Sequence, residues 1–226
     1  MHTLDQLRAG QLHGLKRLDL SAGLTEFPRE IFALADTLEI LNLSGNALTA
    51  LPDDLPRLHR LRVLFCSDNR FTEVPTVLRQ CPELRMVGFK ANLIRTLPAA
   101  GLPPRLQWLI LTDNQLENLP AEIGHCQQLR KLMLAGNRLT TLPATLADCR
   151  HLELLRVAAN QLTGLPPGLL ALPRLAWLAY AGNPFCAPAE AAVVARHPVA
   201  TIDWATLTLA ETLGAGASGL IYRAAW

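Results

Sequence analysis

Apolar and polar positions along this chain recur in one frame, L-x-x-L-x-L-x-x-N-x-L-x-x-L-P. Its clearest copy runs Leu38, Leu41, Leu43, Asn46, Leu48, Leu51, Pro52. The asparagine returns as Asn69, Asn92, Asn114, Asn137, Asn160 and Asn183, at intervals of 23, 23, 22, 23, 23 and 23 residues. The x-L-x-L-x stretch alternates and is short, which predicts a strand with its two leucines turned inward and the x positions turned out. One copy cannot bury its leucine face alone, whereas stacked copies share a continuous core. The period therefore predicts a solenoid with one parallel strand per unit, and a long surface rather than a single pocket as its natural product.

Seven units start at Leu38, Leu61, Leu84, Leu106, Leu129, Leu152 and Leu175. A degenerate eighth starts at Leu15, with Gly23 in the asparagine slot. The asparagine amide carries two donors and an acceptor, so it can bond the backbone of the turn after each strand, where no ladder partner exists. The proline closing each frame lacks an N–H and ends the strand. The convex segments are short and hold Pro-Pro at 103–104 and 166–167, which predicts 3₁₀ or extended pieces rather than long helices. Solenoid ends need caps. Thr3-x-x-Gln6 reads as a capping box opening a helix over residues 3–12, and the Ala-rich stretch 188–197, stopped by Pro198, reads as a helix at the other end.

Two columns face outward on the concave sheet. The first is Arg17, Ile40, Val63, Met86, Trp108, Lys131, Leu154, Trp177; the second is Asp19, Asn42, Phe65, Gly88, Ile110, Met133, Arg156, Ala179. Eight strands about 4.8 Å apart make a strip roughly 34 Å long. Its middle is apolar, and monomers rarely expose a large contiguous apolar patch without a use. Ile40, Val63, Phe65, Met86, Trp108, Ile110, Met133, Leu154, Arg156 and Trp177 are the candidate partner-binding residues. The competing reading is that the branched residues among them merely pack their strand neighbours. Arg62, Arg85 and Arg130, at the strand entrances, form a basic rim: a solvated edge or a steering patch.

These frames resemble the 23-residue, L-P-containing leucine-rich repeats, over roughly residues 15–186. The resemblance implies an α/β horseshoe with a parallel concave sheet. After the repeats the pattern changes. Leu213-Gly-Ala-Gly-Ala-Ser-Gly-Leu-Ile-Tyr-Arg-Ala holds G-x-G-x-x-G between strand-like segments, Leu207-Thr208-Leu209 before it and residues 220–224 after. A dinucleotide-binding loop needs a helix after the glycines, so this segment is instead similar to the protein-kinase glycine-rich loop. By that resemblance Gly214, Gly216 and Gly219 would lie over ATP phosphates, with Leu213 and Ile221 against the adenine. No V-A-I-K lysine, H-R-D or D-F-G follows, so the chain itself is expected to have no kinase activity and to bind no cofactor; ATP and Mg belong to a longer parent. The alternative is a small-residue hairpin without a ligand.

The resulting division is an N-terminal cap at 1–14, eight repeats at 15–187, a cap and linker at 188–203, and the start of a kinase-like N-lobe at 204–226. It resembles the N-terminal part of a leucine-rich-repeat protein kinase of Ser/Thr type, ending just inside the catalytic domain. The short connection differs from plant receptor kinases and implies a cytoplasmic, bacterial arrangement.

Composition narrows this further. Half the residues are hydrophobic, ample for a continuous core, and 21 basic against 19 acidic side chains leave a net charge of +2. That balance makes no case for nucleic acid or an anionic membrane. The N-terminus has no apolar signal core and there is no apolar run of 18 residues. The five cysteines are odd in number and unpaired in pattern, which favours a reducing compartment. Cys126 and Cys149, with His125 and His151, form a conceivable zinc set; the simpler reading is a small residue in a repeated packing slot. The expected function is protein binding by a monomeric solenoid on its concave face, the partner being another protein or the parent's own kinase domain. The alternatives are a stand-alone or homo-oligomeric scaffold, and a fragment of a leucine-rich-repeat ubiquitin-ligase effector.

Overall fold

A computed structural model describes residues 2–196, 202–216 and 219–225. It divides into two units, Met1–Ala187 and Pro188–Trp226. In the first unit, eight three-residue strands form one parallel sheet in chain order among the described residues: β1 Arg17–Asp19, β2 Ile40–Asn42, β3 Val63–Phe65, β4 Met86–Gly88, β5 Trp108–Ile110, β6 Lys131–Met133, β7 Leu154–Arg156 and β8 Trp177–Ala179. Every pairing aligns the same frame position, from Arg17↔Ile40 through Leu154↔Trp177. The middle residues Leu18, Leu41, Leu64, Val87, Leu109, Leu132 and Leu155 are buried, as the alternation predicts.

The convex side is built of 3₁₀ turns, and the frame proline explains them. Pro28, Pro75, Pro98, Pro120 and Pro143 each stand at the N-cap of such a turn. Their carbonyls accept the first i+3 bond, from the N–H of Ile31, Leu78, Gly101, Ile123 and Leu146. Proline's fixed φ suits the turn, and its missing donor is not required there. The 22-residue interval is absorbed on this side. The turn after Pro98 is only Ala99–Gly101, against five residues after Pro75 or Pro120, and β5 keeps its register.

The asparagine ladder does more than close its own turn. The Oδ1 of Asn69 accepts the Leu48 N–H at 2.9 Å and its Nδ2 donates to the Leu43 carbonyl at 2.9 Å, both in the preceding repeat. The same backward bonds recur from Asn92 through Asn183. Each asparagine thus fastens its repeat to the one before. The first repeat has no predecessor, which accounts for Gly23 in its slot; Asn46 still reaches back to the Ala22 and Leu24 N–H groups.

The residue before each asparagine adopts left-handed φ. Gly45, Gly136 and Gly182 do so without strain, and Asp68 and Asp113 tolerate it as turn residues. Ala91 and Ala159 sit there at φ 52 and 51. An alanine in that region costs about 1–2 kcal/mol, partly offset in a glycine by its larger backbone entropy. Ala91→Gly and Ala159→Gly are each expected to raise stability by about 0.5–1 kcal/mol, additively. Urea unfolding checks this, and a lowered midpoint in either variant would refute the strain.

At the N-terminus, Leu4–Arg8 forms α1, with the Thr3–Gln6 capping box in both directions. The helix is shorter than residues 3–12, because Gly10 turns left-handed at φ 69. Ala187–Arg196 is a helix, α2, close to the predicted span and, but for Ala187, within the second unit; His197 and Pro198 lie outside the described residues. No helix among the described residues is long and apolar enough to cross a membrane.

Candidate partner-binding face

Parallel register brings the predicted concave columns together. Val63, Met86, Trp108 and Lys131 are consecutive in one row, and Phe65, Gly88, Ile110, Met133 and Arg156 in the next. The apolar strip is therefore contiguous across β3 to β6. Ile40, Val63, Phe65, Met86, Trp108, Ile110, Met133 and Leu154 are all half-buried, while Arg156 is exposed and Trp177 is 60% exposed.

Two contacts account for the half-burial of Phe65 and Trp108, and neither is visible in the frame alone. The Phe65 ring lies across Gly88: a Cβ there would come within 2.6 Å of Phe65 Cδ1 and 3.8 Å of Ile110 Cδ1. The glycine is the gap that lets the ring fold flat onto the sheet. Lys131 Nζ sits 3.7 Å from the centroid of the Trp108 ring, a cation–π contact that covers one ring face. The strip is a smooth floor rather than a row of projecting anchors.

Its ends differ chemically. At β1 and β2, Arg17 Nε donates to Asp19 Oδ2 at 2.7 Å and Asn42 Nδ2 donates to Asp19 Oδ1 at 3.0 Å. The Arg17 hydrogen bond holds the Asp19 carboxyl below its usual range. That end is polar and internally paired. The strand-entrance rim is paired as well. Arg62 meets Glu39 at 3.1 Å, Arg85 meets Glu83 at 3.3 Å, and Arg130 donates twice to Glu153 at 2.9 and 2.7 Å. These ion pairs fit the solvated-edge reading of the rim better than a free steering patch.

The cysteines fill packing slots. All five are free and buried, and Cys149 Sγ donates to the Ile123 carbonyl at 3.2 Å. Burial pushes the Cys126 thiol up to about 11 and the Cys149 thiol up to about 12. Thiols held protonated in this way are poor nucleophiles and poor metal ligands.

The glycine-rich segment forms an antiparallel hairpin, β9 Thr208–Gly216 with β10 Gly219–Ala225. The preceding strand is longer than residues 207–209 and takes in Gly214 and Gly216, which pair with Ile221 and Gly219. Leu207 instead caps a short 3₁₀ turn, Trp204–Thr206. Ala217 and Ser218 lie outside the described residues. Leu213 and Ile221 are 60% and 64% exposed.

Comparison with known proteins places this geometry. Family profiles described as leucine rich repeat match residues 104–162 and 37–58. The human PH domain leucine-rich repeat-containing protein phosphatase 1 is 37% identical over 93 residues, covering 40% of this chain and 5% of that protein. The Dictyostelium discoideum probable inactive serine/threonine-protein kinase roco10 is 32% identical over 123 residues, covering 52% and 5%. The chain thus spans about a twentieth of either relative's length. Among solved structures, a Leptospira interrogans leucine-rich-repeat protein superposes with a TM-score of 0.72 at 29% identity, over 78% of this chain and 45% of that one. Profile matches, superposition and the in-register eight-stranded sheet agree: the chain is built on leucine-rich repeats, stacked as a solenoid.

Proposed function

We propose that the solenoid is the recognition arm of a signalling enzyme and holds a protein partner on its concave face. The observation that carries this is the unbroken apolar floor across β3 to β6, framed by paired charges on its rim. Aromatic and methionine side chains on a rigid sheet lose little conformational freedom on binding, which suits them to interface centres. Changing Phe65 and Trp108 together to Ala is expected to weaken partner capture at least tenfold while the urea midpoint stays nearly unchanged. Capture by the full chain from its own cell extract, followed by identification of the retained protein, measures it. Undiminished capture by the double variant would move binding off this face.

The reading extends to the tail. A hairpin carrying Gly214, Gly216 and Gly219 supports the opening of a Ser/Thr-type kinase lobe, whose ATP and Mg would be held by a longer parent. In that parent, Leu213 and Ile221 are free to meet an adenine, since neither is buried here. One relative unites such repeats with a kinase name, there called inactive. The free, buried thiols favour a reducing, cytoplasmic setting.

A further inference from the structure

We infer that the partner's contacting segment is an acidic peptide with apolar anchors, selected by a basic cluster at the far end of the apolar floor. The inference rests on the concave-face reading above. A whole-chain charge of +2 conceals a local excess: Leu129–Leu162 holds five basic residues, Arg130, Lys131, Arg138, Arg150 and Arg156, against two acidic ones, Asp148 and Glu153. Glu153 is occupied by the two bonds from Arg130, which, with the nearby charges of Arg174 and Lys131, hold its carboxyl below the usual range. Asp148 belongs to the convex turn Ala144–Asp148 and does not front the sheet.

What remains on the concave side is Lys131 and Arg156, with Arg174 exposed on the adjoining rim. None of the three takes part in an ion pair within 4.0 Å among the described residues. Their placement matters more than their number. Lys131 pairs with Trp108 across the ladder and Arg156 pairs with Met133, so each cation stands one strand from an apolar floor residue. A side chain resting on Trp108 or Met133 would carry a neighbouring carboxylate within reach of Lys131 or Arg156. Charge-assisted bonds of that kind are roughly twice as strong as neutral ones. At the strand entrances, the basic end opens into a shallow groove of about 300 Å³ lined by Gln107, Gln128, Arg130, His151 and Arg174, of which Arg130 is paired with Glu153. The opposite end of the sheet has no such excess, because Arg17, Asp19 and Asn42 satisfy one another. The face is therefore polarised, and an acidic segment has one favoured end.

A nucleic acid fits less well. Salt-driven binding commonly engages about six to ten phosphates, two to three times the three cations available here.

The test uses the full chain and three fluorescein-labelled 12-residue peptides with the same Phe and Leu anchors, separated by Glu, Gln or Lys. Anisotropy titration at low salt is expected to rank them Glu, then Gln, then Lys, with at least tenfold between Glu and Gln. The Lys131→Glu/Arg156→Glu variant, checked for an unchanged urea midpoint, is expected to invert that order. Equal affinity of the Glu and Gln peptides, an order that survives in the variant, binding by no peptide, or tighter binding of a single-stranded RNA 12-mer would each overturn the inference. The underlying reading fails separately. If all three peptides bind equally and Trp108→Ala abolishes binding, the concave site stands without charge selection. If the Glu preference persists undiminished in Phe65→Ala/Trp108→Ala, the charge selection stands and the apolar floor is not the site.

Discussion

Phe89→Ala is expected to lower the unfolding free energy by about 3–5 kcal/mol. Phe89 is fully buried, and its ring meets that of Phe71 edge-on, with centroids 4.9 Å apart and planes at 85°. The equivalent position holds Leu20, Leu43, Cys66, Leu111, Leu134 and Val157 in other repeats. The fourth repeat carries the ring, and the neighbouring third carries the small Cys66, so volume is traded along the column. Removing the ring leaves a void bordered by strands whose spacing is set by hydrogen bonds, so the walls cannot close. A solenoid makes contact only between adjacent repeats, and the loss stays concentrated between the third and fourth. Urea unfolding of the variant beside the parent chain measures it. Phe65→Ala is the control: the same residue type, half-buried on the concave floor, should lose far less. A Phe89→Ala cost below about 1 kcal/mol would mean that the repeats slide together and that packing between them is loose.

Asn114→Ala is expected to cost about 1–3 kcal/mol, and the hydrogen-bond pattern says where. Asn114 Nδ2 donates to the carbonyls of Phe89, Leu111 and Thr112 at 2.9, 3.1 and 3.2 Å. Each of those oxygens keeps another donor when the amide is gone: Asn92 Nδ2, Asn137 Nδ2 and the Ala91 N–H. The Ile94 N–H, 3.0 Å from Asn114 Oδ1, belongs to a fully buried residue and is left with no acceptor. One orphaned buried donor therefore dominates the loss. Asn114→Asp separates this account from a simple volume effect. It keeps the acceptor for Ile94 but sets a carboxylate against three carbonyl oxygens, which raises its pKa in the folded state. A group whose folded pKa is raised contributes its stability at low pH and loses it as pH rises through that value. The aspartate variant should be worse than the alanine at pH 7 and recover relative to the parent chain near pH 4. If the two variants stay equally unstable at both pH values, the carbonyl ring around Asn114 is not the cause.

Much of this was legible in the chain because the repeat imposes one local solution many times. The alternating L-x-L predicted every inward strand residue of β1 to β7, and the asparagine spacing predicted which positions share a row. The Thr3–Gln6 capping box forms as read, although Gly10 ends the helix before residue 12. Asp68 and Asp113, residues of a type that favours turns, both take left-handed φ. Three things were not legible. The asparagines bond backward across repeats, since sequence spacing identifies a slot but not the neighbour it serves. Two of the rim arginines are neutralised by acids one repeat away, Arg62 by Glu39 and Arg130 by Glu153, pairings that depend on lateral stacking. The glycines of the tail fall inside paired strands, because antiparallel pairing with residues 219–225 extended the first strand beyond its apolar core.

Period and alternation by themselves determined the architecture, since a strand of three residues with two leucines inward has nowhere to bury them except against its own copies. The same columns determined which side chains could face a partner. Only the tertiary structure decided what those side chains present. The Phe65 ring lies flat because Gly88 stands one strand away, Lys131 caps Trp108, and Arg156 stays open because no acid stacks beside it. Each of these turns on a contact between residues about one repeat apart, at a distance that stacking sets and local sequence does not.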